Sequence, residues 1–186
     1  MANVYSDIRK AIRRAAVQSL IEFFPTTEDQ DKYIFFSHTG GSEPANPYVV
    51  INILGIEQQG RSQVSSLTDQ DSFLSVQSQY EVTVQFGFCG SSAGDMAHSF
   101  TQRINNNPIT MEAFRKESLS VMRKSNLRRV PQKRDTKWVE YFNQDFVFAY
   151  IVNTTQPVDY VETIVLEDKS LDPSTVFTVP PNVPIP

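Results

Sequence analysis

The stretch "SFLSVQSQYEVTVQFGFC", residues 72–89, decides the fold class of this chain of 186 residues. In its second half apolar side chains alternate with Glu81, Thr83 and Gln85, and the apolar set comprises Tyr80, Val82, Val84, Phe86 and Phe88. A period of two is typical of a β-strand with one buried and one solvent-facing side. The stretch therefore predicts a sheet strand that builds part of a core.

A second strand-like stretch, "YVVINILGIEQQGRSQV" at residues 48–64, precedes the first across the short polar segment "SSLTDQD". The two are expected to face each other as a long hairpin. The far half of this hairpin is mostly Gln, Ser and Asp, so it has too few apolar side chains to anchor it on its own domain. We predict that residues 57–77 form a protruding polar hairpin arm, or a loose loop if no partner orders it.

An amphipathic helix is predicted over residues 6–24. Its apolar residues recur at spacings of three and four, while four basic residues gather on the other side. Ser6 is expected to be the N-cap, and Pro25 ends the pattern because it has no N–H to continue a helix.

Two more helices are predicted after the long strands. In "SSAGDMAHSFTQRINNNP" at residues 91–108, Ser92 and Asp95 are spaced as in a capping box. A short third helix is expected over residues 110–118. Both would pack on the sheet.

Strand character returns in "LSVMRKSNLRRVPQ" at 119–132 and "TKWVEYFNQDFVFAYIV" at 136–152, and "DYVETIVLE" at 159–167 predicts a last strand. "KYIFFS" at 32–37 predicts an earlier one. Residues 169–186 contain five of the eleven prolines, so they are expected to form an extended tail rather than a central strand.

The order helix, strands, helices, strands predicts an α+β fold with a mainly antiparallel β-sheet, helices packed on one face and a long protruding β-hairpin. The regular alternation of a doubly wound parallel sheet is missing. We expect a single domain over residues 1–168, with the polar arm at 57–77 and the Pro-rich tail at 169–186.

Composition excludes several classes of function. The net charge is −4 and charged residues make up 20% of the chain, so the total does not call for a nucleic acid or a membrane surface. Cys89 is the one cysteine, which excludes an internal disulfide framework. The longest apolar run is far shorter than the roughly 18 residues of a membrane span. These features predict a soluble protein made in a cytoplasm.

The sharpest enzymatic pattern is "GFCGSS" at residues 87–92, which would place Cys89 on a strand-to-helix turn with Asp95 and His98 downstream. The pattern departs from G-x-S-x-G, and a small buried thiol at a strand end is the favoured interpretation. A metal site of His38, His98 and Cys89 lacks the close-spaced ligand pairs of zinc sites. No phosphate-binding glycine loop is present. We predict no catalytic residues, no metal and no cofactor.

Charge is unevenly distributed along the chain. Residues 115–137 hold nine basic and two acidic side chains, a balance of +7 that leaves −11 for the rest of the chain. Three interpretations stay open. The segment could contact phosphates, pair with the acidic side of a neighbouring copy, or be a solvated edge strand whose charges discourage edge pairing.

Together these elements resemble the neck or tail terminator proteins of tailed bacteriophages. The resemblance rests on the opening helix, the partly polar hairpin, the helix after "QYEVTVQFGFCG", and the strand "FNQDFVFAYIV" followed by "VDYVETIVLE". It covers about residues 6–167. Such proteins are known as non-enzymatic α+β subunits without a cofactor that assemble as a ring, typically a hexamer.

The resemblance also implies partners and a location. The ring would cap the tail tube, contact tube and possibly sheath protein, join the head-completion or connector proteins, and leave a channel for DNA without sequence specificity. The protein would lie in the neck of the virion after synthesis in the bacterial host cytoplasm, with no membrane contact. A head-tail adaptor or stopper is the alternative in the same class, and a small cysteine hydrolase using Cys89 and His98 is the alternative from another class.

We hypothesise that the subunit or partner interface includes residues of the basic segment, the arm and the tail. The set is Arg115, Lys116, Arg123, Lys124, Arg128, Arg129, Lys133, Arg134, Gln58, Gln59, Arg61, Phe73 and Phe177.

Overall fold

The computed structural model describes residues 3–37, 44, 47–65, 73–130, 132–134 and 137–157. Of these, the residues within 1–63 and 77–154 form one compact unit, and those within 64–76 and 155–186 belong to a second. The predicted domain end at 168, the protruding arm at 57–77 and the tail at 169–186 stay predictions. The strand predicted at 159–167 and the tail lie outside the described residues.

Four helices and nine strands occur in the described part of the chain, which confirms the α+β class. In order they are α1 (Val4–Ser19), α2 (Thr27–Tyr33), β1 (Ile34–Phe36), β2 (Tyr48–Gln58), β3 (Gln63–Ser65), β4 (Phe73–Cys89), α3 (Ala93–Asn106), α4 (Pro108–Lys116), β5 (Leu119–Lys124), β6 (Arg128–Arg129), β7 (Gln132–Arg134), β8 (Lys137–Val139) and β9 (Tyr141–Pro157). None of the helices in these ranges has the length and apolar character that a membrane span requires.

Helix α1 has the predicted buried face but begins earlier than the sequence indicates. The prediction of Ser6 as N-cap is wrong, because Asn3 takes that position and its Oδ1 accepts a hydrogen bond from the Ser6 N–H at 3.3 Å. Both residue types suit a cap, so the pattern alone does not choose between them. Similarly, Ser92 is the N-cap of α3 but makes no side-chain capping bond, so the predicted capping box does not form.

Helix α2 occupies a segment for which the sequence predicts no helix, and it takes Lys32 and Tyr33 from the strand predicted at 32–37, so that β1 is confined to Ile34–Phe36. It has no buried residue, so no apolar periodicity marks it. Its start is fixed by Thr26, whose Oγ1 accepts a hydrogen bond from the Asp29 N–H at 3.1 Å. The acidic first turn and Lys32 in the last turn suit the helix dipole.

The main sheet has seven strands in the described residues, along the path β1-β2-β4-β9-β5, with β3 paired to β4 and β6 paired to β9. Strands β2 and β4 are antiparallel, with Tyr48 opposite Cys89 and Gln58 opposite Tyr80. Strands β5 and β6 also run antiparallel to β9. The β1–β2 pair is parallel, which the sequence does not indicate. Strands β7 and β8 form a separate antiparallel pair.

A register shift in β2 keeps its apolar residues on one side. Ile53 lies opposite Val84 and Ile56 lies opposite Val82. The two isoleucines are three positions apart along β2, whereas their partners in β4 are two positions apart. The extra residue at the shift is Leu54, which is half exposed. A bulge of one residue restores the alternation that a three-residue spacing would otherwise break.

The core lies between the inner face of the sheet and helices α1, α3 and α4. Phe86 of β4, Phe100 of α3 and Phe146 of β9 meet there, with ring centroids 4.8–5.7 Å apart. Phe148 stacks on Phe114 of α4 at 5.4 Å. These rings are fully or almost fully buried, so the predicted alternation of β4 and β9 supplies the core.

Candidate assembly interface

Two ion pairs on the outer face of the sheet join different strands, and a third joins a strand to the residue before β9. Arg123 of β5 contacts Glu81 of β4 at 2.5 Å, and Arg128 of β6 contacts Asp145 of β9 at 2.5 Å. A third pair joins Arg129 to Glu140 at 2.6 Å. The arginine side chains are 53–70% exposed, so each of these cations still presents most of its surface to solvent.

Asp145 is the best-connected carboxylate of this face. Its Oδ1 accepts a hydrogen bond from Gln85 Nε2 at 2.8 Å, while Oδ2 accepts from Arg128. The backbone of Asp145 is also tied to Ser125, whose Oγ accepts from the Asp145 N–H at 2.9 Å and whose N–H donates to the Asp145 carbonyl at 2.8 Å. The strand and the loop after β5 are therefore fixed to each other.

These pairs change how the basic segment is understood. Counting along the chain suggests a strong local excess of positive charge, but folding places Glu81 of β4, Asp145 of β9 and Glu140, which lies between β8 and β9, against three of the arginines. Arg115 also contacts Glu112 on its own helix at 3.5 Å. Within the described residues, Lys116, Lys124 and Lys133 form no ion pair, and Lys124 and Lys133 are exposed.

A groove of about 360 Å³ lies on the helix side of β5. Its apolar lining includes Phe114 and Leu119, which are buried, and Met111 and Met122, which are 43% and 55% exposed. Its charged lining is entirely basic and comprises Arg115, Arg123 and Lys124. Strand β5 ends the path of the sheet, so the groove runs beside an edge strand.

The structure brings only part of the predicted interface set together. Gln58, Gln59 and Arg61 are exposed near the end of β2, where Gln58 Nε2 donates to Ser62 Oγ at 3.2 Å. The groove contacts a different part of the set, namely Arg115, Arg123 and Lys124. Phe73 begins β4 and Arg134 ends β7, but their side chains lie outside the description, as does the whole of Phe177.

Cys89 and His98 are not placed as a nucleophile and its base. The Cys89 thiol is fully buried at the end of β4, where burial raises its pKa, and it lies in hydrogen-bond contact with Tyr48. Burial, followed by the contact with Cys89, also raises the pKa of Tyr48. His98 is exposed on α3, where its Nε2 lies 3.0 Å from Gln102 Nε2. A protonated, inaccessible thiol is a poor nucleophile.

The turn after Cys89 has a structural explanation. Gly90 has φ of 115°, a left-handed conformation that glycine adopts without strain, and its N–H donates to the Glu140 carbonyl at 3.1 Å. His38 lies outside the described residues. Across the ranges that are described, no group of three or more His, Cys, Asp or Glu side chains could hold a metal ion.

Sequence reasoning missed the acidic half of the outer face. Glu81, Glu140 and Asp145 were recognisable as outward-facing strand residues, but their arginine partners are distant in sequence. Glu81, for example, lies 42 residues from Arg123. Alternation identifies the face on which a side chain lies, whereas its partner depends on which strands become neighbours.

Comparison with known proteins supports the interpretation of the fold. The family model described as "Phage neck terminator protein" matches residues 6–172. A comparison with curated proteins gives no match. The family match spans most of the chain and includes the core, the outer-face ion pairs and the groove beside β5. The chain therefore belongs to the phage neck terminator protein family.

Proposed function

We propose that this protein is a structural ring subunit of a phage neck, which ends the tail tube and joins it to the head-completion proteins. The observation that carries the proposal is the family match over residues 6–172. The fold adds support, because its charged side chains form surface pairs and its most reactive side chain is buried. The role is mechanical and requires no catalysis.

The proposed mechanism is geometric. Each subunit would present one surface to the copy on one side and a different surface to the copy on the other, and such head-to-tail contacts generate a closed ring when the rotation between copies divides a full turn. The ring would fix the diameter of the tube end and leave a channel for DNA. Tube growth would stop because the ring covers the surface that the next tube subunit needs.

The exposed cations fall into two groups, those with a carboxylate partner in their own chain and those that form no ion pair in the described residues. Arg128 and Arg129 each have a carboxylate partner within their own chain, so reversing their charge would first disturb the outer face of the subunit itself. Lys124 and Lys133 form no ion pair within the described residues and are exposed. Charge reversal at either lysine therefore leaves the ion pairs of the subunit itself intact.

The proposal is tested by measuring the mass of the purified protein, alone and with tail-tube protein, using light scattering and negative-stain imaging. We expect ring-sized particles and rings seated at the ends of tubes. A persistent monomer that never associates with tube ends would overturn the proposal. Rings that bind the connector but ignore tube ends would indicate a head-tail adaptor or stopper instead.

His98→Ala is the matched control for the hydrolase alternative. His98 is exposed, so its replacement should leave the fold intact. Assembly should be unchanged in this variant. A hydrolytic activity of the wild-type protein that disappears in His98→Ala would contradict a purely structural role.

A further inference from the structure

The edge of β5 combines three properties that favour an added strand. Strand β5 pairs with β9 on one side and ends the sheet on the other, so its outer edge carries backbone N–H and C=O groups without a strand partner in the described residues. Beside this edge lies the groove with Met111 and Met122 partly exposed. A strand added here would extend the sheet and place alternate side chains into the groove.

The charges of the groove restrict what it accepts. Arg115, Arg123 and Lys124 line it and no acidic residue does. The two arginines are paired with carboxylates outside the groove, whereas Lys124 forms no ion pair in the described residues and supplies its uncompensated charge. Two identical β5 edges brought together would face each other with like charges, which is unfavourable across a strand pair. The groove therefore disfavours self-pairing of two edges and favours an acidic strand, which gives the contact a direction.

A segment of the chain itself has the required chemistry. Residues 158–168, "VDYVETIVLED", contain four acidic side chains and no basic one, and the sequence pattern of 159–167 predicts a strand. By the period of two, Tyr160, Ile164 and Leu166 share one side of that predicted strand with Glu162, so this side would supply both apolar contacts and one carboxylate to the groove. The acidic side chains match the basic lining in sign.

We propose that residues 159–167 of one copy add as a strand to the β5 edge of the next copy and so connect neighbouring subunits. This inference rests on the ring assembly proposed above and names the contact that builds it. The β5 edge of one copy and residues 159–167 of the other are different surfaces of the subunit. The contact is therefore heterologous, which is the kind of contact that generates a ring.

The first test reverses one charge of the groove. Lys124→Glu should raise the concentration needed for half-maximal assembly at least tenfold, because it lowers the charge of the groove lining from +3 to +1 and places a carboxylate beside an acidic strand. Lys133→Glu is the matched control, since Lys133 is also exposed and forms no ion pair in the described residues but does not line the groove. It should assemble like the wild-type protein. Unfolding curves of both variants verify that the subunits are folded.

The second test determines whether the contact joins two copies. Glu162→Lys with Glu167→Lys changes the charge of residues 159–167 from −3 (Asp159, Glu162 and Glu167) to +1 and should also prevent assembly. In an equimolar mixture with Lys124→Glu, the unchanged groove of the double variant still meets the unchanged acidic segment of the single variant, so the mixture should form particles of two copies.

The outcomes separate the two proposals. A wild-type protein that forms rings while Lys124→Glu assembles equally well overturns the strand contact and leaves the terminator function standing. A mixture that stays monomeric overturns the exchange between copies. A wild-type protein that stays monomeric at every concentration, with and without tube protein, overturns both.

Discussion

The two faces of β4 and β9 contrast sharply, although they belong to the same strands. The inner face packs phenylalanine rings against α3 and α4, with Phe86, Phe146 and Phe148 fully buried. On the outer face, Glu81 of β4 and Asp145 of β9 hold arginines of β5 and β6 that remain mostly exposed. Apolar burial stabilises the first face, whereas the second depends on charge pairs that are weak in water.

Under the ring assembly proposed above, the difference separates stability, which depends on the inner face, from the charges that another subunit would meet. A substitution on the inner face changes packing density and is felt by the whole domain. A substitution on the outer face changes a local charge pattern that a partner would meet. Variants of the two faces should therefore separate into folding defects and assembly defects.

Phe146→Ala is expected to have the largest effect. It removes a ring that contacts Phe86, Phe100 and Phe148, and a buried Phe→Ala change costs about 3–5 kcal/mol of unfolding free energy. Urea denaturation followed by circular dichroism measures this loss. Trp138→Ala removes a similarly large side chain that is 71% exposed and should cost less than about 0.5 kcal/mol. If Phe146→Ala and Trp138→Ala lost the same unfolding free energy, the assignment of Phe146 to the core would be contradicted.

Gly87→Ala should have an intermediate effect, although Gly87 lies on the outer-face side of β4. An added Cβ would lie 2.1 Å from the Tyr141 hydroxyl oxygen and 2.7 Å from its Cζ, so the ring must move. Overpacking of this kind costs about 1–3 kcal/mol. At Gly55, nothing lies within 4 Å of an added Cβ, and Gly55→Ala should be nearly neutral. Thermal unfolding compares the two, and a neutral Gly87→Ala would refute the close approach of Tyr141.

Arg128→Gln should have the smallest effect on stability. Its ion pair with Asp145 is more than half exposed on the arginine side, and Gln85 still donates to the same carboxylate. The expected loss is about 0–1 kcal/mol and should shrink in high salt, because solvent and ions screen exposed pairs. Urea midpoints at low and high salt measure it. Lys133→Gln is the control, and its urea midpoint should differ from that of the wild-type protein by the same amount at low and high salt. If Arg128→Gln lost more than about 2 kcal/mol of unfolding free energy, the outer face would contribute to stability as a buried core does.

The period of the apolar residues made much of the inner face predictable, whereas the predicted N-cap Ser6 and the predicted capping box of Ser92 did not form. The alternation around Val84 and Phe86 indicates both the strand and its buried side, and the three- and four-residue spacing around Ile8 and Ile12 indicates α1. Helix α2 was missed because it buries nothing and so leaves no periodic signal. The bulge at Leu54 was missed because a three-residue apolar spacing in a strand is ambiguous without its partner.

The interface was less predictable because its properties arise from the neighbours that folding creates. Arg123 appears unopposed along the chain, yet the strand order brings Glu81 to it. The groove likewise requires the end of α3, the side of α4 and the edge of β5 to meet. No local pattern specifies that meeting, whereas each contributing element was indicated by its own periodicity.

The burial of Cys89 makes this chain a convenient starting point for site-specific labelling. Because the single native thiol is enclosed and protonated, a cysteine introduced at an exposed position would be the most accessible reactive sulfur in the folded protein. Met122→Cys would allow a fluorophore or spin label to be attached at the edge of β5 without first replacing Cys89. Distances between labels on neighbouring copies would then report directly on the spacing of subunits.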